Sequence, residues 1–546
     1  MRVEEYLVPL SDGLRLRTIV CRPEGNAPLP VLFMRTPYPQ LEENAKKAAQ
    51  SAVERGYAYV FQFCRGTGGS EGDWVPNANE RKDGIDGLQW LSSQPWCDWI
   101  GIHGISYMAL TGWIVADALP DKVRGLFLCH YGIDRHLSAY RDGLFRHDIL
   151  TGWTMQNAGK SVTDNFARDY LRSCVFRPHL EADEKLWGVR LDWYRDWITN
   201  VDYTAPYWHS GFWKQLREIP GKVGVPVCVV AGWFDHHLEG TLLAFEELSE
   251  KIKKRSELIV GSWTHDFVPS VAVHPSARAA LDINAVILDW FDSLSGRGKR
   301  RTPGVTVYVA GEDTWKRSDR WPVPTAGRKI RYLSPQGDSY SGAYRLSDSP
   351  AVGPESVIEY RYDPDDPVRS VGGETLLVSE SERGCRKQPG PGARADVITF
   401  ISDPFIDALP ICGEIGVSLS VSSDAEDTCF AVKISEVFPN GEAYNIRSGI
   451  TTLAYRNGRT ERGTYTPDEI VDIKVKTLPI TWTMGKGSRL RLDVASSDFP
   501  QYCVHTNYPG VWSTRRDVKI ARQRLHIGGS RGAFIEIPIQ GVFSGL

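Results

Sequence analysis

The chain has 546 residues, of which 42% are hydrophobic and 24% charged, and its net charge at neutral pH is −3. That length exceeds what one hydrophobic core serves, so two or three domains are expected. The near-neutral balance carries no basic footprint, which argues against nucleic acid and anionic membrane surfaces as partners.

No run of about 18 apolar residues exists to span a membrane. Ten cysteines are scattered singly, none at C-x-x-C spacing, so there is no zinc signature. The opening stretch "MRVEEYLVPLSDGLRLRTIV" is strand-like and charged, without the apolar run of a signal peptide. Free thiols in a reducing cytoplasm are the expectation. Eighteen tryptophans are many for this length, and they serve either a binding surface or a large core.

Residues 1 to about 130 read as strands alternating with helices. "RTIVCRP" and "PVLFMRTPY" are apolar strands, and "LEENAKKAAQSAVERG" is a helix stopped by Gly56. "YAYVFQFC" is a buried strand, "ERKDGIDGLQWLSSQ" a second helix and "WIGIHGIS" a third buried strand. "YMALTGWIVADALP" follows as a helix, then "VRGLFLCH" as a strand. This alternation predicts a parallel sheet covered on both faces.

From 131 to 218 the pattern becomes helical and carries six tryptophans: Trp153, Trp187, Trp193, Trp197, Trp208 and Trp213. The segment reads as a cap inserted over a site or as a helical layer on the sheet. Alternation resumes with "VPVCVVAGW", "GTLLAFEELSEKI", "SELIVGSWTH" and "SARAALDINAVILDWFDSLSG". After Gly296–Gly304 the chain turns to short alternating runs such as "IGVSLSVSS" and "SRLRLDVAS", the pattern of an antiparallel sandwich or jelly roll. "GCRKQPGPGARAD" reads as a long loop. The expected division is residues 1–130 with 219–298 as an α/β unit, 131–218 as the cap, and 299–546 as the β domain.

Chemistry concentrates at "GIHGISYMALTGW". Ser106 sits between a buried strand and a helix, at the sheet edge where α/β folds place their sites. A serine there is either a nucleophile or an ordinary helix N-cap. Gly104 allows strand and helix to approach, and Ala109 supplies the small contact that Met108 does not. A nucleophile needs a base and an orienting acid. Asp235 follows "VPVCVVAGWF", and His265 follows "SELIVGSWT" thirty residues later, giving the order Ser, acid, His. Among twelve histidines only His265 stands just after a strand and downstream of such an acid. His236 and His237 crowd Asp235 as rivals or as pocket walls. His103, on the strand before the turn, reads as structural.

These residues bring a family into view. "RTPY" (Arg35–Tyr38), "RGTGGSEG" (Arg65–Gly72), "GISYMA" (Gly104–Ala109), "APYW" (Ala205–Trp208), "AGWFD" (Ala231–Asp235) and "GSWTH" (Gly261–His265) resemble the cocaine-esterase / X-Pro dipeptidyl-peptidase-like serine hydrolases. "WKRSDRWPVP" (Trp315–Pro324), "YDPDDPVRSVGG" (Tyr362–Gly373) and "LRLDVASSDFP" (Leu490–Pro500) are similar to that family's C-terminal jelly roll. The resemblance implies an α/β-hydrolase with a helical cap followed by a β jelly roll. It implies a Ser106, Asp235, His265 triad, and an oxyanion hole formed by the Tyr38 hydroxyl and the Tyr107 amide. Trp153, Trp208, Trp233, Phe234 and His236 are the expected walls of an aromatic acyl pocket. No metal and no organic cofactor are expected.

Two positions depart from the family pattern. Phe63 stands where the family often has an aspartate, so Arg65 is expected to lack that partner. After Asp235 the sequence reads "DHHLEG", with only Glu239 as an acid. That weighs against recognition of a substrate ammonium, and so against a strict dipeptidyl-peptidase. The leading reading is a hydrolase of a small-molecule ester or amide. The alternatives are removal of X-Pro dipeptides from short peptides, or a non-catalytic binding protein. Large jelly-roll surfaces are compatible with a homo-oligomer.

Overall fold

The computed structural model describes all residues except 26, 271–276, 338–341, 377–378, 380–381, 530–531 and 544–546. The apolar runs read from the sequence become a ten-stranded sheet. Its first strands are β1 (Arg2–Pro9), β2 (Arg15–Arg22), β3 (Leu29–Thr36), β4 (Ala58–Phe63), β5 (Cys97–Ile105) and β6 (Val123–Cys129). They lie in the order β1-β2-β4-β3-β5-β6, followed by Val227–Gly232 and Glu257–Gly261. From β4 to Glu257–Gly261 every neighbour is parallel. β1 and β2 add on antiparallel at the edge. β4, Val227–Gly232 and Glu257–Gly261 are buried at every residue, as continuous apolar strands covered by helices on both faces must be. The covering helices include α1 (Glu42–Glu54), α2 (Glu80–Ser93) and α3 (Tyr107–Trp113).

Two expectations need correction. The α/β sheet does not end near 298. Gly304–Val309 pairs parallel with Glu257–Gly261, and Thr314–Ser318 adds antiparallel to it. The glycine-rich basic stretch read as a boundary is a helix end followed by a turn into the next strand. Gly296, at φ 73°, takes the left-handed conformation that closes helix Ile283–Ser295. The helix after Ser106 is also shorter than its apolar pattern suggested: it stops at Trp113 and continues as turns.

The 131–218 segment is helical, with α4 (Arg135–Ala139) and α5 (His147–Gln156) nearest the sheet edge. Between them lies a short hairpin, Tyr140–Arg141 with Leu144–Phe145, that periodicity did not signal. The C-terminal region is β-rich, with thirteen strands in one sheet among the described residues. Its pairs are antiparallel except Tyr344–Ser347 with Ile398–Ser402. Strand Ser356–Tyr362 alternates inward and outward, burying Ile358, Tyr360 and Tyr362, the period-two pattern of a one-sided strand.

This region grips the rest of the molecule. The Phe145 carbonyl accepts from the Cys503 amide at 2.7 Å, Ser513 Oγ donates to the Ile198 carbonyl at 2.6 Å, and Tyr455 Oη donates to Asp202 at 2.6 Å. Arg447, fully buried, donates to the Trp233 carbonyl at 2.7 Å and the Pro479 carbonyl at 2.6 Å. All ten cysteines are buried. Among the described residues no helix is long and apolar enough to cross a membrane.

Candidate active site

Ser106 stands at the turn from β5 into α3 with φ 59° and ψ −128°. A non-glycine residue at positive φ is strained by about 1–3 kcal/mol and persists only where its surroundings enforce it. Here its amide donates to the Cys129 carbonyl at 3.0 Å and its carbonyl accepts from Ala109 at 2.8 Å. The Ser106 side chain makes no capping bond, which removes the N-cap role. Gly104 explains how the turn closes: a Cβ there would lie 2.2 Å from the Met108 carbonyl oxygen. Ala109 is fully buried under the turn, and Met108 packs sideways into the apolar layer.

A cavity of about 440 Å³ opens above the turn. Ser106, Tyr38, Tyr107, Trp153, His236 and His265 line it, with His237, Tyr131 and Arg135. Asp235 lies just behind the wall, fully buried. His265 Nδ1 donates to Asp235 Oδ2 at 2.6 Å, and Asp235 Oδ1 accepts from the His237 amide at 2.6 Å. With Nδ1 occupied, Nε2 of His265 is left to accept. Burial disfavours the His265 imidazolium, but the charge and hydrogen bond of Asp235 outweigh it, and the net direction is upward from 6.5. Burial likewise pushes Asp235 up, and the surrounding histidines reverse this, leaving its carboxyl well below the usual range.

A second histidine that sequence reading passed over completes this corner. His130 follows β6 at φ 52° and is fully buried. Its Nε2 accepts from Trp263 Nε1 at 3.2 Å, so Nδ1 carries the proton and donates to the His265 carbonyl at 2.9 Å. The same Nδ1 is 3.5 Å from Asp235 Oδ2. His130, Asp235 and His265 each offer a ligand atom within 4.8 Å of one another. The proton on His130 Nδ1 makes that nitrogen a donor and unsuited to a metal.

Tyr38 follows β3 on the same sheet edge. Its hydroxyl accepts from Trp153 Nε1, on α5, at 2.9 Å. That leaves the phenolic proton free to donate into the cavity, and burial keeps it in place by raising the phenol well above 10. Tyr107 opens α3, so its amide has no acceptor within the helix. Its ring stacks on Trp153 with centroids 6.0 Å apart. The Tyr107 hydroxyl is held below the floor, accepting from the Asn77 amide at 2.9 Å and donating to buried Glu80.

The other called residues do not reach the cavity. Trp208 is buried within the cap, its indole donating to the Asn200 carbonyl at 2.8 Å. Trp233 donates to the Tyr308 carbonyl at 2.8 Å, and Phe234 lies beneath Arg447 with 5.4 Å to the ring centroid. Both rings lie beside Arg447 of the C-terminal region, whose guanidinium carbon is also 6.0 Å from the Trp233 ring centroid. His103 is buried beside Tyr59, and burial lowers it to about 4. Arg65 is not without a partner: it bonds Asp83 at 2.6 Å and Asp12 at 2.7 Å. Phe63 is freed to pack under Arg17, 5.2 Å from its guanidinium carbon. Glu239 is paired with Arg141 at 2.7 Å.

Residues 12–266 match the X-Pro dipeptidyl-peptidase (S15) family, and residues 297–535 match the X-Pro dipeptidyl-peptidase C-terminal non-catalytic domain. Cocaine esterase of Rhodococcus sp. (strain MB1 Bresler) is 28% identical over an alignment covering 98% of this chain and 97% of that one. An aminopeptidase from a marine sediment archaeon, Thaumarchaeota archaeon, shares the fold with a TM-score of 0.84 at 20% identity, over 99% of this chain and 96% of its own. An alpha-amino acid ester hydrolase does so with a TM-score of 0.83 at 22% identity, over 99% and 96%. Two family matches in the right order and an end-to-end relative leave one assignment: the chain belongs to the cocaine-esterase / X-Pro dipeptidyl-peptidase-like family and is a serine hydrolase.

Proposed function

We propose that the chain cleaves a carboxylic ester or amide through an acyl-enzyme on Ser106. His265 takes the Ser106 proton as Oγ attacks the carbonyl carbon. Asp235 holds the imidazole tautomer and stabilises its positive charge. The Tyr38 hydroxyl and the Tyr107 amide receive the developing oxyanion, a kind of contact worth roughly 3–4 kcal/mol per donor. His265 then returns the proton to the leaving oxygen or nitrogen as the bond breaks. Water cleaves the acyl-enzyme by the same route, with His265 again as base.

The observation that carries this reading is the 2.6 Å bond from His265 Nδ1 to buried Asp235, in a histidine that shares a cavity wall with Ser106 and Tyr38. Ser106→Ala is expected to lower kcat by on the order of a millionfold while circular dichroism and the melting temperature stay as in the wild type. Retained turnover of an activated ester would remove Ser106 as nucleophile.

An ester or simple amide is favoured over an X-Pro peptide for one reason. A free N-terminus needs an anionic partner, and no aspartate or glutamate lines the cavity among the described residues. 4-Nitrophenyl butyrate beside an X-Pro anilide separates the two, the ester being the faster substrate.

A further inference from the structure

One wall of the cavity carries a charge that the proposed chemistry does not use. Arg135 opens α4 and is 7% exposed. Its guanidinium lies over the Trp197 ring, 4.6 Å from the centroid, and near the Tyr131 hydroxyl. Its Nε is buried without a hydrogen-bond partner. Two acids close to it in sequence or space are engaged elsewhere. Asp134 accepts from the His136 amide, Tyr203 Oη and Arg217, and Glu239 holds Arg141.

Two other buried arginines are treated differently. Arg146 bonds Asp148 at 2.9 Å, and Arg491 bonds Asp493 at 2.9 Å. A buried guanidinium without an anion is costly, and stacking on one indole offsets only part of that cost. Arg135 is thus a nearly buried cation on the wall of the cavity that holds Ser106, and no carboxylate lines that cavity among the described residues.

We infer that the substrate carries a carboxylate of its own, remote from the scissile carbonyl, which Arg135 binds. This rests on the proposed hydrolysis at Ser106 and names its substrate class: half-esters or half-amides of dicarboxylic acids, or acyl derivatives of hydroxy or amino acids. It is the opposite selection from an amino ester, whose ammonium Arg135 would repel. A charge-assisted contact of this kind accounts for about a tenfold to hundredfold preference.

The test compares 4-nitrophenyl hemiadipate with its methyl ester, which has the same length without the charge. A butyryl ester of glycolate is compared with that of glycolamide, to place the carboxylate on the leaving-group side. In the wild type, kcat/KM for the charged member of at least one pair is expected to exceed the neutral one about tenfold or more. Arg135→Gln is expected to collapse that ratio and Arg135→Lys to keep part of it. Equal or inverted ratios in both pairs overturn the inference, as does an R135Q variant whose two substrates slow in proportion.

Calorimetric titration of adipate into the wild type and R135Q judges the anion site without any turnover. Binding that R135Q abolishes supports it, and no binding to the wild type counts against it. A fluorophosphonate that fails to label Ser106 instead strikes at the hydrolase reading, so the two failures are told apart.

Discussion

Ser106 is held at a backbone angle that a serine does not choose, and the two side chains proposed to act with it, Asp235 and His265, are fixed as firmly. Asp235 is oriented from both sides, by the His237 amide on one oxygen and His265 on the other. The net effect on His265 is a raised imidazole, and the sign of the pH dependence follows. In the proposed mechanism the base must be neutral to accept the Ser106 proton, so kcat/KM is expected to fall on acidification with an apparent pKa above 6.5. The same shift stabilises the fold fully below 6.5 and ceases to do so as pH rises through the raised value. In Asp235→Asn the largest upward influence on His265 is gone while burial remains, and the acid limb moves down; kcat/KM profiles of both proteins check this, and an unmoved limb assigns it to another group.

The triad candidates were legible because each stands just after a strand, where position alone fixes proximity. His130 stands after a strand too, but its part is defined by Trp263 and the His265 carbonyl, distant in sequence. Trp233 and Phe234 were assigned to the pocket by nearness to Asp235. Adjacency along the chain does not tell which way a side chain faces.

At the level of elements, the turn from β5 to α3 depends on the absence of one methyl group. A Cβ at Gly104 meets backbone atoms of Met108 and Ala109 at 2.2–2.6 Å, which cannot rotate aside. Gly104→Ala is therefore expected to lower stability by at least about 1–3 kcal/mol, the usual range for overpacking. It should also displace the Tyr107 amide. Thermal melting reads the first effect, and loss of fluorophosphonate labelling in the folded fraction reads the second. A variant with wild-type melting and labelling would mean that the turn has room to spare.

The strands of this sheet were readable because continuous apolar runs between glycines admit few alternatives. The cap was not. Its helices are short, and their order in space is set by contacts such as Trp153 with Tyr38 and Ser513 with Ile198. Hence Arg135, which a local pattern marks as one more charged residue at a helix start, becomes part of the cavity only after the cap has folded.

At the scale of the molecule, the matched families divide the chain near residue 297, yet the sheet pairing runs on to Ser318. The regions on either side also share buried hydrogen bonds. Arg447 is the most telling of them: it reaches from the β-rich region to the Trp233 carbonyl, two residues before Asp235. Burial lowers its guanidinium to about 10, so its two carbonyl acceptors matter to it as much as it matters to them. Residues 1–298 expressed alone are expected to be insoluble or inactive, and a soluble fragment with wild-type kcat/KM would refute that.

The same arginine bears on how such a chain can change over generations. A loop beside the proposed acid Asp235 that is anchored by a distant region makes the two interdependent, and exchanging either for a relative's version is expected to need re-fitting of the other. Substitution in the cavity walls, at positions such as Arg135, leaves that anchor untouched.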